Sequence, residues 1–455
     1  MTATFRMRTR IPATAEELWR WHARPGALER LTPPWERAEV ASRTGGIEDG
    51  SRVVLRVPLG PFRTTWVVEH RDVRPGRSFR DVQVAGPFAR FEHEHRMEAD
   101  GSGAAFLEDR IEYALPLGAL GRALAGRRVA RRLERVFAWR HETLREDVAR
   151  HAAAEGVAPM RIVVTGASGL VGSSLVPFLT TGGHEVVRAV RGAAGTGEVR
   201  WSPETGFDPA LLAGADAVVH LAGEGIANAR WSAAVKERLR ASRVKGTRAV
   251  AETVARASPR PRTLVVASAV GFYGDRGEEP VDETSAPGTG FLCDVARDWE
   301  AAADPARAAG VRVVHLRFGV VLSAAGGALR RMLLPFRLGV GGVIGSGAQR
   351  MPWISIDDAV GAVHHVLVRD DLAGPVNVVA PETATNREFT KTLGRVLGRP
   401  TIFPMPAFAA RIAFGEMAGP LLLTGQRVLP KRLAESGFRW RHGTLESALR
   451  HVLGR

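Results

Sequence analysis

The stretch RIVVTGASGLVG, residues 161–172, decides how most of this chain folds. It starts as a branched apolar run, turns on the glycines Gly166, Gly169 and Gly172, and leads into a helix. In a strand–turn–helix context this spacing is a phosphate-binding turn. The first glycine permits the tight turn, the second lets backbone approach a pyrophosphate, and the third lets helix pack on strand. The helix N-terminus adds unpaired N–H groups and positive potential. The candidate cofactor-binding residues here are Gly166, Ala167, Ser168, Gly169, Leu170, Val171 and Gly172.

Working outward, HEVVRAVR, ADAVVHLAG, RTLVVASAV and VRVVHLRFG repeat the continuous apolar pattern. Such runs suit strands covered on both faces. Helical segments between them, such as Ser232 to Ala257, imply a parallel, doubly wound α/β sheet of the Rossmann type. The second strand reads the cofactor ribose, where an acid would favour NAD(H). Strand His184–Arg191 ends in Arg191 instead, with Arg188 three residues earlier. A guanidinium offers a planar fork for a 2′-phosphate, so NADP(H) is expected over NAD(H).

Before residues 150–160 the pattern differs. RVVLRVPLG, TTWVVEHRDV, RFEHEHRMEA and FLEDRIEYAL read as strands, followed by a helix from Ala123 to about Ala154. Val129, Leu133, Val136, Phe137, Leu144 and Val148 form one apolar stripe on it. The expected domains are 1–155, 160–400 and 401–455, consistent with a length of 455 residues.

A formal charge of +15 invites a nucleic-acid reading. However, only four of the 63 basic residues are lysine, which marks a whole-chain bias. The charge is also spread, with 27 Arg against 22 acids before residue 156 and 36 basic against 26 acidic residues after it. No nucleic-acid partner is expected. The single Cys293 rules out an internal disulfide and fits a reducing compartment. The N-terminus lacks the apolar stretch of a secretion signal, and the longest uncharged run, Ile162 to His184, holds five Gly. The expectation is a cytoplasmic protein with no membrane partner. Oligomeric state is left open.

His93 and His95 alternate with Glu92 and Glu94, so on a strand both rings share a face. A metal would need a third ligand that the sequence does not name, so no metal is expected.

The spacing Gly-x-x-Gly-x-x-Gly resembles the extended short-chain dehydrogenase/reductase superfamily. The segments HLAGEGIANARW, SRVKGT, SAVGFYG, FLCDVARDWE, LRFGVVLSAAGGAL, WISIDDAV and LLLTGQRVLPKRLAESGF narrow the likeness to its atypical epimerase-like branch. Members of that branch are described as NAD-dependent epimerase/dehydratase family oxidoreductases and carry a small C-terminal domain of unknown function. The resemblance implies that His220, Leu221, Ala222 and Gly223 line the adenine and ribose side of the cofactor. It places Ala267 on the strand bearing the catalytic hydroxyls and Arg317 in the segment lining the nicotinamide. The N-terminal third, with ALERLTPPWE and a long last helix, resembles the START-like polyketide cyclase/dehydrase and lipid-transport superfamily. That likeness implies an α+β helix-grip fold with an apolar cavity, suited to an apolar ligand.

The superfamily's usual chemistry needs a Tyr and a Lys four residues apart on one helix face. This chain has two tyrosines, Tyr113 and Tyr273, followed four residues on by Leu117 and Gly277. Aligning Trp299–Glu300 with the end of the family's catalytic helix puts Leu292 and Ala296 where the pair would sit. Tyr273 and Ser268 are therefore the candidate proton donor and orienting hydroxyl. Cys293 reads as a buried helix cysteine, and Asp357 and Asp358 read as helix-end groups. The expected function is an NADP(H)-binding oxidoreductase or epimerase-like enzyme acting on a small carbonyl or alcohol. The alternative is a noncatalytic NADP(H)-sensing or ligand-carrying protein.

Overall fold

A computed structural model describes residues 2–60, 62–154 and 156–455. It divides into two compact units. One contains the residues up to Gly156, and the other those from Val157 onward; Pro177–Gly183 and Gly454 group with the first.

The first unit is an antiparallel sheet of seven strands. Across the sheet, Ala3–Ile11 is followed by Ala105–Ala114, Arg90–Ala99, Ser78–Ala85, Phe62–Arg74, Arg52–Leu59 and Glu39–Arg43. Alternation sets its faces. Along Arg90–Ala99, Phe91, His93, His95 and Met97 are buried while their neighbours are not. The long helix Gly118–Ala152 lays Phe137, Leu144 and Val148 on the core, with Val129, Leu133 and Val136 half-buried beside Phe137. Each fully buried side chain of this kind contributes roughly 1.5–3 kcal/mol. Sheet and helix enclose a cavity of about 800 Å³ lined by Val57, Val68, Phe91, Phe137 and other apolar groups, with Asp81, His93 and His95 at its polar part. This is the helix-grip arrangement anticipated from the sequence.

The second unit is a parallel sheet of seven strands in the order Glu198–Arg200, Glu185–Val190, Arg161–Thr165, Ala217–His220, Thr263–Ala269, Arg312–Phe318 and Gly374–Val378. The first three strands step one way and the later ones the other. The order therefore reverses between Arg161–Thr165 and Ala217–His220, whose carboxyl ends frame the ligand crevice of a doubly wound sheet. Ile162, Val163, Val164, Val218 and Val219 are fully buried, as continuous apolar strands require.

The C-terminal segment joins the same unit. Arg427–Val428 pairs with Pro280–Val281, and Asp358 accepts hydrogen bonds from the backbone N–H groups of Arg441 (2.6 Å) and His442 (2.9 Å). Ser355 caps the helix Ile356–Val368, accepting from the Asp358 N–H at 3.0 Å. The helix-end role expected of Asp358 is thus joined by a tethering role. No helix among the described residues is long and apolar enough to cross a membrane.

Candidate cofactor site and two buried polar networks

The glycine turn is held by steric necessity. Gly166 has φ +70°, and a Cβ there would lie 2.7 Å from the Leu221 carbonyl carbon. A Cβ on Gly172 would come within 2.2 Å of the Gly166 carbonyl oxygen. Gly169 is exposed, and its Cβ would meet only that same oxygen, at 3.1 Å. The outer glycines therefore shape the turn, and the middle one leaves its outer side open. Ser168 is also exposed, while Ala167, Leu170 and Val171 are half-buried. Leu170 meets the loop Gly326–Gly327, whose added Cβ atoms would lie 2.9–3.0 Å from its methyl groups.

Leu221 and Ala222 pack directly under Gly166, and Gly223 beside them is exposed. His220 is different: its imidazole is fully buried, with Nδ1 2.7 Å from Thr165 Oγ1. Burial lowers its pKa from 6.5 to about 4. Because the folded value is depressed, its stabilising effect is present above pH 6.5 and is lost as pH falls toward 4. Denaturation midpoints at pH 7 and pH 5 are expected to differ less in His220→Asn than in the parent chain. Equal pH slopes would refute the assignment.

Arg191 is exposed just past the carboxyl end of Glu185–Val190. Arg188 is an ion-pair partner of Glu198 at 3.0 Å on the adjacent strand.

The strand Thr263–Ala269 and the neighbouring Arg312–Phe318 place Ala267, Ser268 and Arg317 close together. Ala267 is buried. Arg317 is 3% exposed, and its guanidinium grips Glu300 with two hydrogen bonds of 2.8 Å, its Cζ lying 3.5 Å from the Phe272 ring centre. Ser268 Oγ donates to Glu300 at 2.7 Å. Arg317 Nη1 donates to the Tyr273 hydroxyl at 2.9 Å, and that hydroxyl donates to Asn377 Oδ1 at 2.7 Å. Tyr273 has no exposed surface, and burial pushes its phenol up to about 12 despite the Arg317 charge. In this structure the Tyr273 hydroxyl donates to Asn377, the Ser268 hydroxyl donates to Glu300, and Arg317 is held in an internal ion pair.

Leu292 sits on helix Phe291–Ala301 beside Gly271, an apolar contact where the resemblance would place a phenol. Ala296 and Cys293 are buried on that helix. The Cys293 thiol donates to Thr289 O, and burial raises its pKa. Glu224 is half-buried and pairs with Arg238 at 3.3 Å.

A second network lies in the first unit. Sheet register sets His70 opposite Asp81, Asp81 opposite His93, and His95 opposite Asp109. His93 Nε2 and His95 Nδ1 both lie 2.7 Å from Asp109 Oδ1, and His141 Nε2 lies 2.6 Å from Asp109 Oδ2. Burial alone would raise the Asp109 pKa, but the surrounding imidazoles hold it well below the usual carboxylate range. The sequence reading found His93 and His95 on one face. Asp81 and Asp109 come from other strands, and no local pattern links them to these histidines.

Residues 162–379 match the NAD dependent epimerase/dehydratase family, 11–141 the polyketide cyclase/dehydrase and lipid transport family, and 405–452 a domain of unknown function. An epimerase family protein of Mycobacterium bovis is 46% identical over 296 residues, 65% of this chain and 98% of that protein. The chain belongs to the epimerase family. This family member is also 38% identical over 299 residues to the human epimerase family protein SDR39U1, across 65% of this chain and all of the human one. A solved structure of human SDR39U1 with NADPH superposes with TM-score 0.59 at 36% identity, covering 64% of this chain and 99% of that one. A nucleoside-diphosphate sugar epimerase from Corynebacterium glutamicum superposes with TM-score 0.83 at 33% identity. That match covers 99% of this epimerase family chain and 90% of the other. NAD(P) binding follows from membership and agrees with the glycine turn.

Proposed function

We propose that the second unit binds NADP(H) in the crevice between Gly166–Gly172 and Leu221–Gly223, and acts as an oxidoreductase or epimerase on a carbonyl or alcohol. The observation that carries this reading is the close-packed glycine turn at the point where the strand order reverses. NADP(H) would supply or accept the hydride; the chain's own residues would hold the pyrophosphate and exclude water around it. The human relative solved with NADPH supports the phosphorylated cofactor. So does Arg191, exposed beyond the strand end while Arg188 is paired with Glu198. The apolar cavity of the first unit supports an apolar ligand there, suited to substrate presentation.

The test begins with melting temperature, which a ligand of the native state must raise. NADPH is expected to raise it more than NADH. Arg191→Ala is expected to weaken NADPH about tenfold, or about 1.4 kcal/mol, and to leave NADH unchanged. Equal weakening of both would remove Arg191 from phosphate recognition. NADPH oxidation followed against a carbonyl panel then tests turnover. A second reading, cofactor binding without chemistry, is favoured by one observation: the hydroxyls of Tyr273 and Ser268 are both engaged inside the protein. Tight NADPH binding with no turnover of any carbonyl would decide for it.

A further inference from the structure

The polar part of the first unit's cavity has the donor set of a metal centre. His93 Nδ1 lies 3.9 Å, and His95 Nε2 3.4 Å, from the same oxygen, Asp81 Oδ2. Ligand atoms of Asp81, His93 and His95 all lie within 4.8 Å of one another. Donors about 2.1 Å from one tetrahedral ion stand roughly 3.4 Å apart, so these three are near the spacing of a common ligand sphere.

The surroundings orient them for that task. The far nitrogen of each imidazole, His93 Nε2 and His95 Nδ1, lies 2.7 Å from Asp109 Oδ1. A carboxylate behind a histidine sets its tautomer and turns the remaining lone pair toward a metal. Asp109 does this for His93, stands beside His95 Nδ1 as a counter-charge without a hydrogen bond, and has its other oxygen held by His141 at 2.6 Å. Asp81 is anchored by His70, whose Nδ1 lies 2.6 Å from Oδ1, while Oδ2 faces His95 Nε2 in a 3.4 Å hydrogen bond that a bound ion would replace. His93 and His95 are buried, yet all three ligand residues line the cavity of about 800 Å³. An ion held there would keep an open position toward that space. Arg140 also lines the cavity, so the neighbourhood suits an anionic oxygen donor on an apolar body.

We propose that Asp81, His93 and His95 bind one divalent first-row transition metal, with Asp109 as a positioning residue and the remaining coordination open to the cavity. Two imidazoles and one carboxylate suit zinc, iron(II) or cobalt(II) rather than calcium or magnesium, which prefer oxygen.

The test uses the full chain after chelator treatment, titrated with cobalt(II). Visible d–d absorption should saturate at one equivalent per chain and disappear when zinc(II) is added. Asp81→Asn and His95→Gln are expected to weaken cobalt at least about a hundredfold, and Asp109→Asn about ten- to a hundredfold. Far-UV circular dichroism checks that each variant folds. The wild-type stoichiometry does not depend on any variant. Asp357, His442 and His451 form a second cluster in the other unit, so His451→Gln serves as the control and should leave the titration unchanged. The proposal fails if wild type shows no binding at about 100 µM cobalt. It also fails if Asp81→Asn retains full affinity, or if only His451→Gln abolishes binding.

Discussion

Glu300→Gln is expected to destabilise the second unit by about 3–5 kcal/mol. The cause is the charge it leaves behind. Arg317 is 3% exposed, and its guanidinium is held by both Glu300 oxygens at 2.8 Å. Removing one member of a buried pair strands the other without water or counter-charge, whereas removing both leaves a smaller cost. The double variant Glu300→Met with Arg317→Met is therefore expected to regain much of the loss. The Tyr273–Asn377 bond should survive in Glu300→Gln, because neither group touches Glu300 directly. Chemical denaturation, read on the transition that NADPH shifts, provides the measurement. A cost below about 1 kcal/mol for Glu300→Gln would show that water reaches Arg317 and that the network is not closed.

The second large effect is at the glycine turn, where two substitutions should separate folding from binding. In Gly172→Val the new Cβ would stand 2.2 Å from the Gly166 carbonyl oxygen and 2.8 Å from Ala167 Cα, so backbone must move. This variant should weaken NADPH at least about a hundredfold, about 2.7 kcal/mol, and also lower the melting temperature without ligand. Gly169→Ala meets a single oxygen at 3.1 Å and is exposed on its other side. It should melt nearly as the parent does while losing NADPH affinity, because the added methyl occupies the approach of the pyrophosphate. Calorimetric titration with NADPH and melting in its absence measure the two effects. If Gly169→Ala binds NADPH as tightly as the parent, the pyrophosphate does not pass over this turn.

Much of the architecture is legible in local patterns. The continuous apolar runs imply a covered parallel sheet, and Ile162, Val163 and Val164 are indeed fully buried. The helix stripe through Phe137, Leu144 and Val148 faces the core as its spacing requires. The glycine spacing carries its own steric meaning, since Gly166 and Gly172 act on atoms a few residues away, and so the turn can be read without knowing the rest of the fold. Side-chain partners are less legible. Arg317 stands in a segment whose wording suggests a cofactor contact, but the group that claims its guanidinium, Glu300, comes from a helix seventeen residues earlier. Tyr273 meets Asn377 across 104 residues of chain. Nothing in either neighbourhood announces the other.

The first unit shows the same division. Alternation along RFEHEHRMEA places His93 and His95 on one face, because successive side chains of a strand point to opposite sides. Strand register sets Asp81 opposite His93 and Asp109 opposite His95, a placement that no local pattern announces. The sequence by itself therefore determined the periodic features: the parallel sheet, the glycine turn, the missing Tyr-x-x-x-Lys pair and the shared face of two histidines. Tertiary structure alone decided which charges meet. Periodicity depends on a residue's own neighbours in the chain, whereas a buried ion pair or ligand set depends on strand order and register, which bring distant segments within a few ångströms.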